Sequence, residues 1–174
     1  IDTSTAAVTS IGDPDIGTTT AGPRWDGSTG QSYLTSTDCS SSTLYTIDLA
    51  SAATTRVGSS TGTCIVALAI DSSGAMYGVD ATLGTLVSIN KATGSVQTIG
   101  SLGVETGFQV GFVAMDVSPA DDSLWLITSD YLYAVDRTTG SAQAIAAGTP
   151  VAAFAFAILP AATDTIFTDG FDGS

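Results

Sequence analysis

The chain has 174 residues, which suits one domain or one short array of repeats and is long enough to bury a hydrophobic core. Four Lys and Arg residues against 17 Asp and Glu residues give a net charge of −13, so nucleic acids and anionic membrane surfaces would repel the protein. Charged residues make up only 12% of the chain and apolar residues 44%, which predicts a folded rather than a disordered protein.

Neither a secretion signal nor a membrane span is evident. The sequence begins directly with Ile1-Asp2-Thr3, so we expect any export signal to have been removed or to lie outside this sequence. The most apolar stretch, 145–162, is interrupted by glycine and proline and is too short for a comfortable membrane span. The sequence therefore predicts no membrane insertion.

Four similar segments recur along the chain. They are IDTSTAAVTSIG from Ile1, IDLASAATTRVG from Ile47, INKATGSVQTIG from Ile89 and VDRTTGSAQAIA from Val135. Their starts are 46, 42 and 46 residues apart, a period typical of β-propeller blades with four strands each. No window shows helical periodicity, so helical repeats of similar length fit poorly.

The segment from Cys64 to Gly100 contains the strands of one whole repeat. The near-continuous apolar run IVALAID (65–71) predicts a first strand that is buried on both faces. Three further strands follow, AMYGVD (75–80), TLVSIN (85–90) and SVQTIG (95–100), each preceded by a turn that contains glycine. Four short antiparallel strands in a meander make one propeller blade.

The two ends of the chain carry parts of one further blade. Residues 1–12 contain the end of a third strand and a fourth strand, whereas 151–159 contain only a first strand. We therefore predict an all-β fold, a small β-propeller-like array of about four four-stranded antiparallel blades, the last a composite of N- and C-terminal strands. The composite blade forms either within one chain or between subunits, and the second arrangement builds a filament when the rotation does not close.

These repeats define the predicted domain organisation. The repeat domain spans 1–162, with internal blades at about 21–58, 65–100 and 111–146 and the composite blade made of 1–12 plus 151–159. Residues 163–174, TDTIFTDGFDGS, do not continue the repeat and form a C-terminal tail. The candidate assembly strands of the composite blade carry Ala7, Val8, Ile11, Val151, Phe154, Phe156 and Ile158.

The runs LYTID…SAATTRVG, LVSIN…TGSVQTIG and LYAVD…TGSAQAIA resemble the repeats of secreted bacterial β-propeller proteins. The resemblance extends from Ile1 to about Leu159, and AMDVSPADDSLWLIT (114–128) is similar to an uncharacterised extracellular repeat family. Quinoprotein propellers share the Asp-x-x-Thr-Gly turns but usually end the fourth strand with Trp, where this chain has Ile or Val. We therefore predict no cofactor. Such repeats imply a fold rather than an activity.

The C-terminal tail resembles the Ile-Phe-x-Asp-Gly-Phe endings of secreted proteins from Gram-negative bacteria. The resemblance implies export by such a bacterium and an extracellular or cell-surface location. It also implies that Ser174 lies close to the natural C-terminus.

The chain contains no histidine, which excludes a Ser-His-Asp triad and any histidine-based metal site. Asp26, Asp71 and Asp116 recur every 45 residues near one face of the predicted disc, where a two-carboxylate hydrolase could use them. Their recurrence favours a structural role, in which each carboxylate accepts N–H bonds from the following turn. We predict no catalytic residue.

Two acidic clusters, Asp13-Pro14-Asp15 and Asp121-Asp122, could offer oxygen ligands to calcium. Neither has the spacing of a calcium-binding loop. We therefore interpret both as solvated turn acids and predict no metal site.

Two cysteines in a sequence that resembles exported proteins predict one disulfide, Cys39–Cys64, with free buried thiols as the alternative. The blade register places Cys39 between a second and a third strand and Cys64 just before the next first strand, on the same face of the disc. A bridge across this loop of about 25 residues contributes about 3 kcal/mol to the free energy of unfolding.

Arg24-Trp25-Asp26 is an unusual cluster in a chain with so few cations. These residues are the candidate ligand contacts, because Trp can stack on a sugar or anchor a partner. The interpretation we favour is that Trp25 packs between blades, with an ion pair beside it.

The lack of a catalytic constellation and the complementary end strands favour a non-enzymatic secreted or cell-surface protein with a structural or interaction role. We expect it to self-assemble into an extracellular filament or matrix by strand exchange, so that its partner is itself. The alternative is a monomeric propeller that binds an extracellular glycan, peptide or calcium ion. A carboxylate-dependent hydrolase is a remote alternative.

Overall fold

The computed structural model describes residues 2, 4–17, 19–104, 113–129, 131–147 and 157–158. This part of the chain forms twelve β-strands, which confirms the all-β prediction. Across these same residues, no helix is long and apolar enough to cross a membrane.

The strands form three four-stranded antiparallel sheets, in which strands consecutive in sequence are neighbours. Unit 1 contains β1 (Thr19–Asp26), β2 (Gln31–Thr37), β3 (Ser42–Ile47) and β4 (Thr54–Thr61). Unit 2 contains β5 (Ile65–Ile70), β6 (Met76–Asp80), β7 (Thr85–Ile89) and β8 (Val96–Ser101). Unit 3 contains β9 (Ala114–Val117), β10 (Leu124–Ile127), β11 (Tyr131–Val135) and β12 (Ala142–Ala147).

The units pack against one another through alternating faces of their strands. Tyr33 and Leu44 of unit 1 share an apolar cluster with Leu68 and Met76 of unit 2. The opposite face of unit 2 joins unit 3 in a larger cluster that includes Leu86, Met115, Leu126 and Tyr133. Complete burial of one such side chain contributes about 2 kcal/mol to folding.

The first strands of the units lie at the centre of the array. β1 contacts β5, and β5 in turn contacts β9. Because β5 is covered on both faces, Ile65 to Ala69 are all buried, which explains the continuous apolar run in this strand.

The turn between the third and fourth strands is the most regular part of the repeat. The amide N–H groups of Asp48, Asn90 and Asp136 each donate to the carbonyl five residues later, at 2.9 Å in every unit. The side-chain oxygen of the same residue accepts an N–H bond from two residues later, at 2.7–2.9 Å. The residue before the closing carbonyl has a left-handed φ of 61° to 81° and is Ala52, Gly94 or Gly140.

The same turn occurs a fourth time, near the N-terminus. Asp2 donates its N–H to the carbonyl of Ala7 at 2.9 Å and accepts the N–H of Ser4 at 2.8 Å, and Ala6 has a φ of 57°. Gly12 then lies against the unit 1 turn, since a Cβ added there would come within 2.7 Å of the Ser51 carbonyl oxygen. Gly58 and Gly100 hold the corresponding place against the turns of units 2 and 3.

No strand follows this N-terminal turn, because residues 4–17 form no β-ladder with any described residue. The expected fourth strand over 1–12, with Ala7, Val8 and Ile11, is therefore absent from this part of the structure. The physical reason is that a fourth strand needs a third strand beside it to pair its N–H and C=O groups. In the C-terminal half of the expected composite blade, Val151, Phe154 and Phe156 lie outside the described residues, as does the tail 163–174.

Candidate interaction surface

An ion pair joins each unit to the next at equivalent positions. Lys91, in the third turn of unit 2, donates to the carboxylate of Asp26 at the end of β1. Arg137, in the third turn of unit 3, donates to Asp71 after β5 at 2.8 Å. In both interfaces the later unit supplies the cation and the earlier unit supplies the acid.

Asp26 and Asp71 also form the turns that follow them, which confirms their predicted structural role. Asp26 accepts the N–H of Ser28 at 2.9 Å, and Asp71 accepts the N–H of Ser73 at 3.0 Å. Burial alone would raise the pKa of Asp26, but hydrogen bonds from Lys91, Ser28 and Thr29 outweigh it and hold the pKa well below its ordinary value. The pKa of Asp71 is lowered in the same way, against burial, by turn hydrogen bonds and Arg137.

Asp116 does not share this role, so the 45-residue register is wrong at this position. Asp116 lies within β9, opposite Trp125, and the residue that begins the turn of unit 3 is Ser118. The hydroxyl oxygen of Ser118 accepts the N–H of Ala120 at 3.3 Å, in place of the carboxylates of units 1 and 2. The connection from β8 to β9 is longer than the connection from β4 to β5, so β9 begins later in the sequence than a fixed 45-residue spacing predicts. The three acids therefore do not form one cluster.

Arg24 extends across the centre of the array. Its Nε donates to the carbonyl oxygen of Leu68 in β5 at 2.9 Å, and its Nη2 donates to that of Met115 in β9 at 2.8 Å. Burial lowers the pKa of the Arg24 guanidinium, and the charge of Asp116 opposes that shift. Arg24 therefore links the first strands of all three units.

Trp25 lies on the other face of β1, because side chains alternate along a strand. This outer face of unit 1 carries Trp25, Ser32 and Ile47, which are paired in register across β1, β2 and β3. Trp25 is 60% exposed, so the interpretation that it packs between blades is wrong. It lines an open groove of about 430 Å³ together with Gly30, Gln31, Ser32, Ile47, Asp48, Leu49 and Ala50. Of the three candidate ligand contacts, only Trp25 lines this groove.

Leu49 holds the position in unit 1 that Lys91 and Arg137 hold in units 2 and 3, one residue after the polar residue that opens the third turn. At the other end of the array, Ser118 of unit 3 holds the position that Asp26 and Asp71 hold in units 1 and 2. The two positions of this series that face no neighbouring unit, Leu49 in unit 1 and Ser118 in unit 3, are therefore uncharged. Neither Leu49 nor Ser118 was predicted from the sequence as a special position, although alignment of the four third turns contains the signal for Leu49.

Exposed apolar side chains occur in the groove on the outer face of unit 1. Trp25 and Leu49, which are 60% and 50% exposed, both line it. The N-terminal segment, in which Val8 and Ile11 are exposed, also reaches this face. The Ser36 hydroxyl donates to the Ile16 carbonyl at 2.7 Å, and the Thr54 hydroxyl donates to the Pro14 carbonyl at 3.0 Å.

The outer face of unit 3 carries the second tryptophan. Trp125 pairs in register with Asp116 and Ala134, on the face turned away from the cluster shared with unit 2. The N–H of Ile158 donates to Oδ2 of Asp116 at 2.7 Å. The chain after unit 3 therefore returns to this face.

The predicted disulfide Cys39–Cys64 is present. Cys39 lies in the turn between β2 and β3, and Cys64 immediately precedes β5, as the blade register predicted. The bridge therefore connects unit 1 to the start of unit 2.

The two acidic clusters have separate local roles. Asp13 accepts the N–H of Asp15 at 3.0 Å, and Asp121 accepts the N–H of Ser123 at 3.1 Å. Asp122 instead reaches unit 2, where its carboxylate accepts the N–H and the hydroxyl of Ser72 at 3.1 and 2.7 Å. Within the residues described, no group of three potential metal ligands occurs.

No family model matches the chain, and none of the curated proteins does. Among solved structures, the chain is similar to a protein of unknown function from Bacteroides thetaiotaomicron, with 21% identity, a TM-score of 0.58 and coverage of 70% of this chain and 32% of that chain. It is also similar to a catalytically inactive virginiamycin B lyase from Staphylococcus aureus, with 10% identity, a TM-score of 0.50 and coverage of 75% and 42%.

A third similar structure is the extracellular domain of a hybrid two-component system from B. thetaiotaomicron, with 18% identity, a TM-score of 0.50 and coverage of 78% of this chain and 18% of that chain. The chain thus spans less than half the length of each of these proteins. At such identities the similarity concerns the fold alone. This chain has an all-β, propeller-like array of four-stranded antiparallel sheets.

Proposed function

We propose that the protein is a non-enzymatic secreted or cell-surface structural protein, which associates with further copies of itself through the outer side of unit 1. The observation that carries this proposal is the exposure of two large apolar side chains, Trp25 and Leu49, in one groove on that side. An uncovered sheet face with an apolar patch is the usual mark of an association surface in an all-β protein.

The chemistry of the two ends supports a head-to-tail contact. If unit 3 of one copy meets unit 1 of another in the way that successive units meet within the chain, Ser118 comes opposite Leu49. Neither is charged, so no ion is left unpaired when water is excluded, whereas a buried unpaired charge is strongly destabilising. Repetition of this heterologous contact builds a filament, or a ring if the rotation closes.

The disulfide supports an extracellular location, as does a composition with many Ser and Thr residues and only 12% charged residues. The acidic residues support a structural rather than a catalytic role. Asp26 and Asp71 are occupied by turn amides and cations, and Asp116 lies beside the Ile158 amide.

Light scattering of the purified protein over a wide concentration range tests the proposal. We expect the average mass to rise above the monomer mass of 17.4 kDa, with elongated particles in negative-stain images. Trp25→Ser should return the mass toward the monomer, because it removes the largest exposed apolar side chain of the surface. Leu83→Ser is the matched control, since Leu83 is exposed in a turn of unit 2 and should have no effect. A constant mass of 17.4 kDa in the wild type would overturn self-association.

The groove beside Trp25 favours one second candidate, a monomer that binds a glycan or peptide. An exposed indole beside backbone and amide groups suits stacking and hydrogen bonding to a sugar. A monomeric wild type whose Trp fluorescence changes with an added oligosaccharide, and whose Trp25→Ser variant does not respond, would support this candidate.

A further inference from the structure

One acid, Asp80, is buried in the contact between units 1 and 2 with no cation beside it. It is the last residue of β6 and is 1% exposed. Its Oδ1 accepts the N–H groups of Cys64 and Thr82 at 3.3 and 3.0 Å, whereas no described residue donates to its Oδ2. In the described part of the chain, no Lys or Arg residue pairs with Asp80. A carboxylate that is buried without a counter-charge is strongly destabilising.

The side of β6 on which Asp80 lies is the one that meets unit 1. Met76 belongs to the apolar cluster shared with unit 1, and Val79 belongs to the cluster shared with unit 3. Side chains alternate along a strand, so Asp80 lies on the same face as Met76. Its register partner in β5, Ile65, also belongs to the cluster shared with unit 1. Asp80 is therefore part of the contact between these two units.

The neighbour of Asp80 in β7 is a hydroxyl without a partner. Thr85 is paired in register with Asp80, so the two side chains lie side by side on one face of the sheet. The Oγ1 atom of Thr85 is buried and makes no hydrogen bond, even to the adjacent carboxylate. Paired residues have Cβ atoms about 5 Å apart, a distance that one small ion can bridge through the side-chain oxygens.

Unit 1 brings another buried hydroxyl to this place. Thr35 of β2 is 2% exposed, and its Oγ1 donates to the carbonyl of Ile65, the register partner of Asp80, at 3.5 Å. That distance is too long for a strong O–H···O hydrogen bond. The equivalent position of unit 2 is Val79, which packs against unit 3 in an apolar cluster. The contact between units 1 and 2 thus has an oxygen where the next contact has a methyl group.

These oxygens form a suitable set of ligands for a hard cation. A carboxylate, two hydroxyls and a backbone carbonyl are the donors that such ions prefer. The single carboxylate carries one negative charge, so a monovalent ion neutralises it, whereas a divalent ion would leave a buried positive charge. The set differs from a cluster of three His, Cys, Asp or Glu ligands, of which the described residues have none.

We infer that Asp80, Thr85 and Thr35, together with the carbonyl of Ile65, bind a monovalent alkali cation between units 1 and 2. The ion balances the charge of the buried acid and joins β2 of unit 1 to β5, β6 and β7 of unit 2. Because Asp80 accepts the N–H of Cys64, the ion and the disulfide hold the same part of this contact. The site concerns the single folded chain and goes beyond the proposed self-association.

Thermal unfolding of the full chain in different chloride salts tests the site. An ion that binds only the folded chain stabilises it. We expect the midpoint temperature to be about 3 °C higher in sodium or potassium chloride than in choline chloride. Equal ionic strength keeps the screening of all other charges the same. Equal midpoints in the three salts, or a midpoint that depends on pH alone, would overturn the inference.

Three variants assign the effect to this place. Asp80→Asn keeps the shape of the side chain but removes its charge, and should abolish the difference between the salts. Thr35→Val introduces the residue that unit 2 has at this position, and should reduce the difference. Asp136→Asn is the matched control, because Asp136 is an exposed turn acid of unit 3, and should leave the difference unchanged. A difference that persists in Asp80→Asn would overturn the assignment.

Anomalous diffraction from crystals of the wild type grown in rubidium chloride locates the ion directly and does not depend on the folding of any variant. We expect an anomalous peak between the side chains of Asp80 and Thr85. Density for a water molecule there, without an anomalous signal, would overturn the inference.

Discussion

The contact between units 1 and 2 and the outer face of unit 1 use the same backbone positions with opposite chemistry. In the contact, Asp26 is fully buried beside Lys91 and the disulfide crosses from one unit to the next. On the outer face, the equivalent of Lys91 is Leu49, and Trp25 replaces the aliphatic Ile70. The difference shows that the repeat specifies the backbone, whereas substitutions at a few fixed positions decide whether a face joins another sheet by charge or by apolar contact.

The largest expected effect is at the closed contact. Asp26→Ala should lower the free energy of unfolding by about 4 kcal/mol, because it leaves Lys91 partly buried without its acid and removes the acceptor of the β1–β2 turn. Urea denaturation measures the change. Asp48→Ala removes only an exposed turn acceptor and should have a much smaller effect. Equal losses in the two variants would show that the inter-unit pair adds nothing.

Removal of the disulfide should have the second largest effect on the free energy of unfolding. Cys39→Ser with Cys64→Ser frees a loop of 25 residues, and chain entropy predicts a loss of about 3 kcal/mol. Thermal unfolding measures it, with the reduced wild type as control. A variant as stable as the oxidised wild type would mean that the contact between units 1 and 2 holds this loop without the bridge.

The backbones of units 2 and 3 lie close together at Gly100, and a side chain added there should lower the free energy of unfolding by an intermediate amount. A Cβ at Gly100 would overlap the carbonyl oxygen of Thr139, so Gly100→Ala should cost about 2 kcal/mol by overpacking. Gly62→Ala is the matched control, because a Cβ there meets nothing within 4 Å. Denaturant midpoints of the two variants compare them directly, and a stable Gly100→Ala would indicate that the units slide apart at low cost.

Acid should weaken the ion-paired contacts selectively. The pKa values of Asp26 and Asp71 are lower in the folded protein than the ordinary value of 3.8, so their stabilisation is complete above that value and disappears as the pH falls through the lowered pKa. The urea concentration at the midpoint of unfolding should therefore decrease as the pH is lowered below about 4. This decrease should be less steep in Asp26→Asn than in the wild type. Parallel pH profiles would contradict the assignment of this titration to Asp26.

The smallest effect on stability is expected at the outer face. Leu49→Lys should change the free energy of unfolding by no more than about 0.5 kcal/mol, since the side chain is half exposed. The same substitution should weaken self-association, because it places an unpaired cation opposite Ser118 of the next copy. Equilibrium unfolding and light scattering on one sample measure both quantities. Unchanged association would exclude Leu49 from the contact.

Much of the fold could be predicted from the sequence, and the physical reason is that its signals are local. The third turn closes over five residues with its own side-chain acceptor, so Asp48, Asn90 and Asp136 mark it wherever they occur. The continuous apolar run of β5 and the position of the two cysteines in the register also predicted what the structure has. The turn at Asp2 was also predictable, because it has the same local hydrogen bonds. The fourth strand expected after it was not, because a strand forms only where a neighbouring strand pairs with it.

The candidate site was less predictable, because it depends on how the sheets are stacked. Spacing alone grouped Asp116 with Asp26 and Asp71, yet the longer connection between β8 and β9 places Ser118 there instead. Adjacent residues 24 to 26 formed one cluster in sequence, but alternation along β1 sends Arg24 and Asp26 inward and Trp25 outward.

By itself, the sequence determined the repeat, the class of fold, the turns and the disulfide, since each depends on residues close in the chain or on a fixed period. Only the tertiary structure decided which charges meet and which face is left open. Lys91 and Asp26 are 65 residues apart, and their contact depends on the rotation and distance between neighbouring sheets. That geometry comes from the packing of whole faces, which no local pattern of residues specifies.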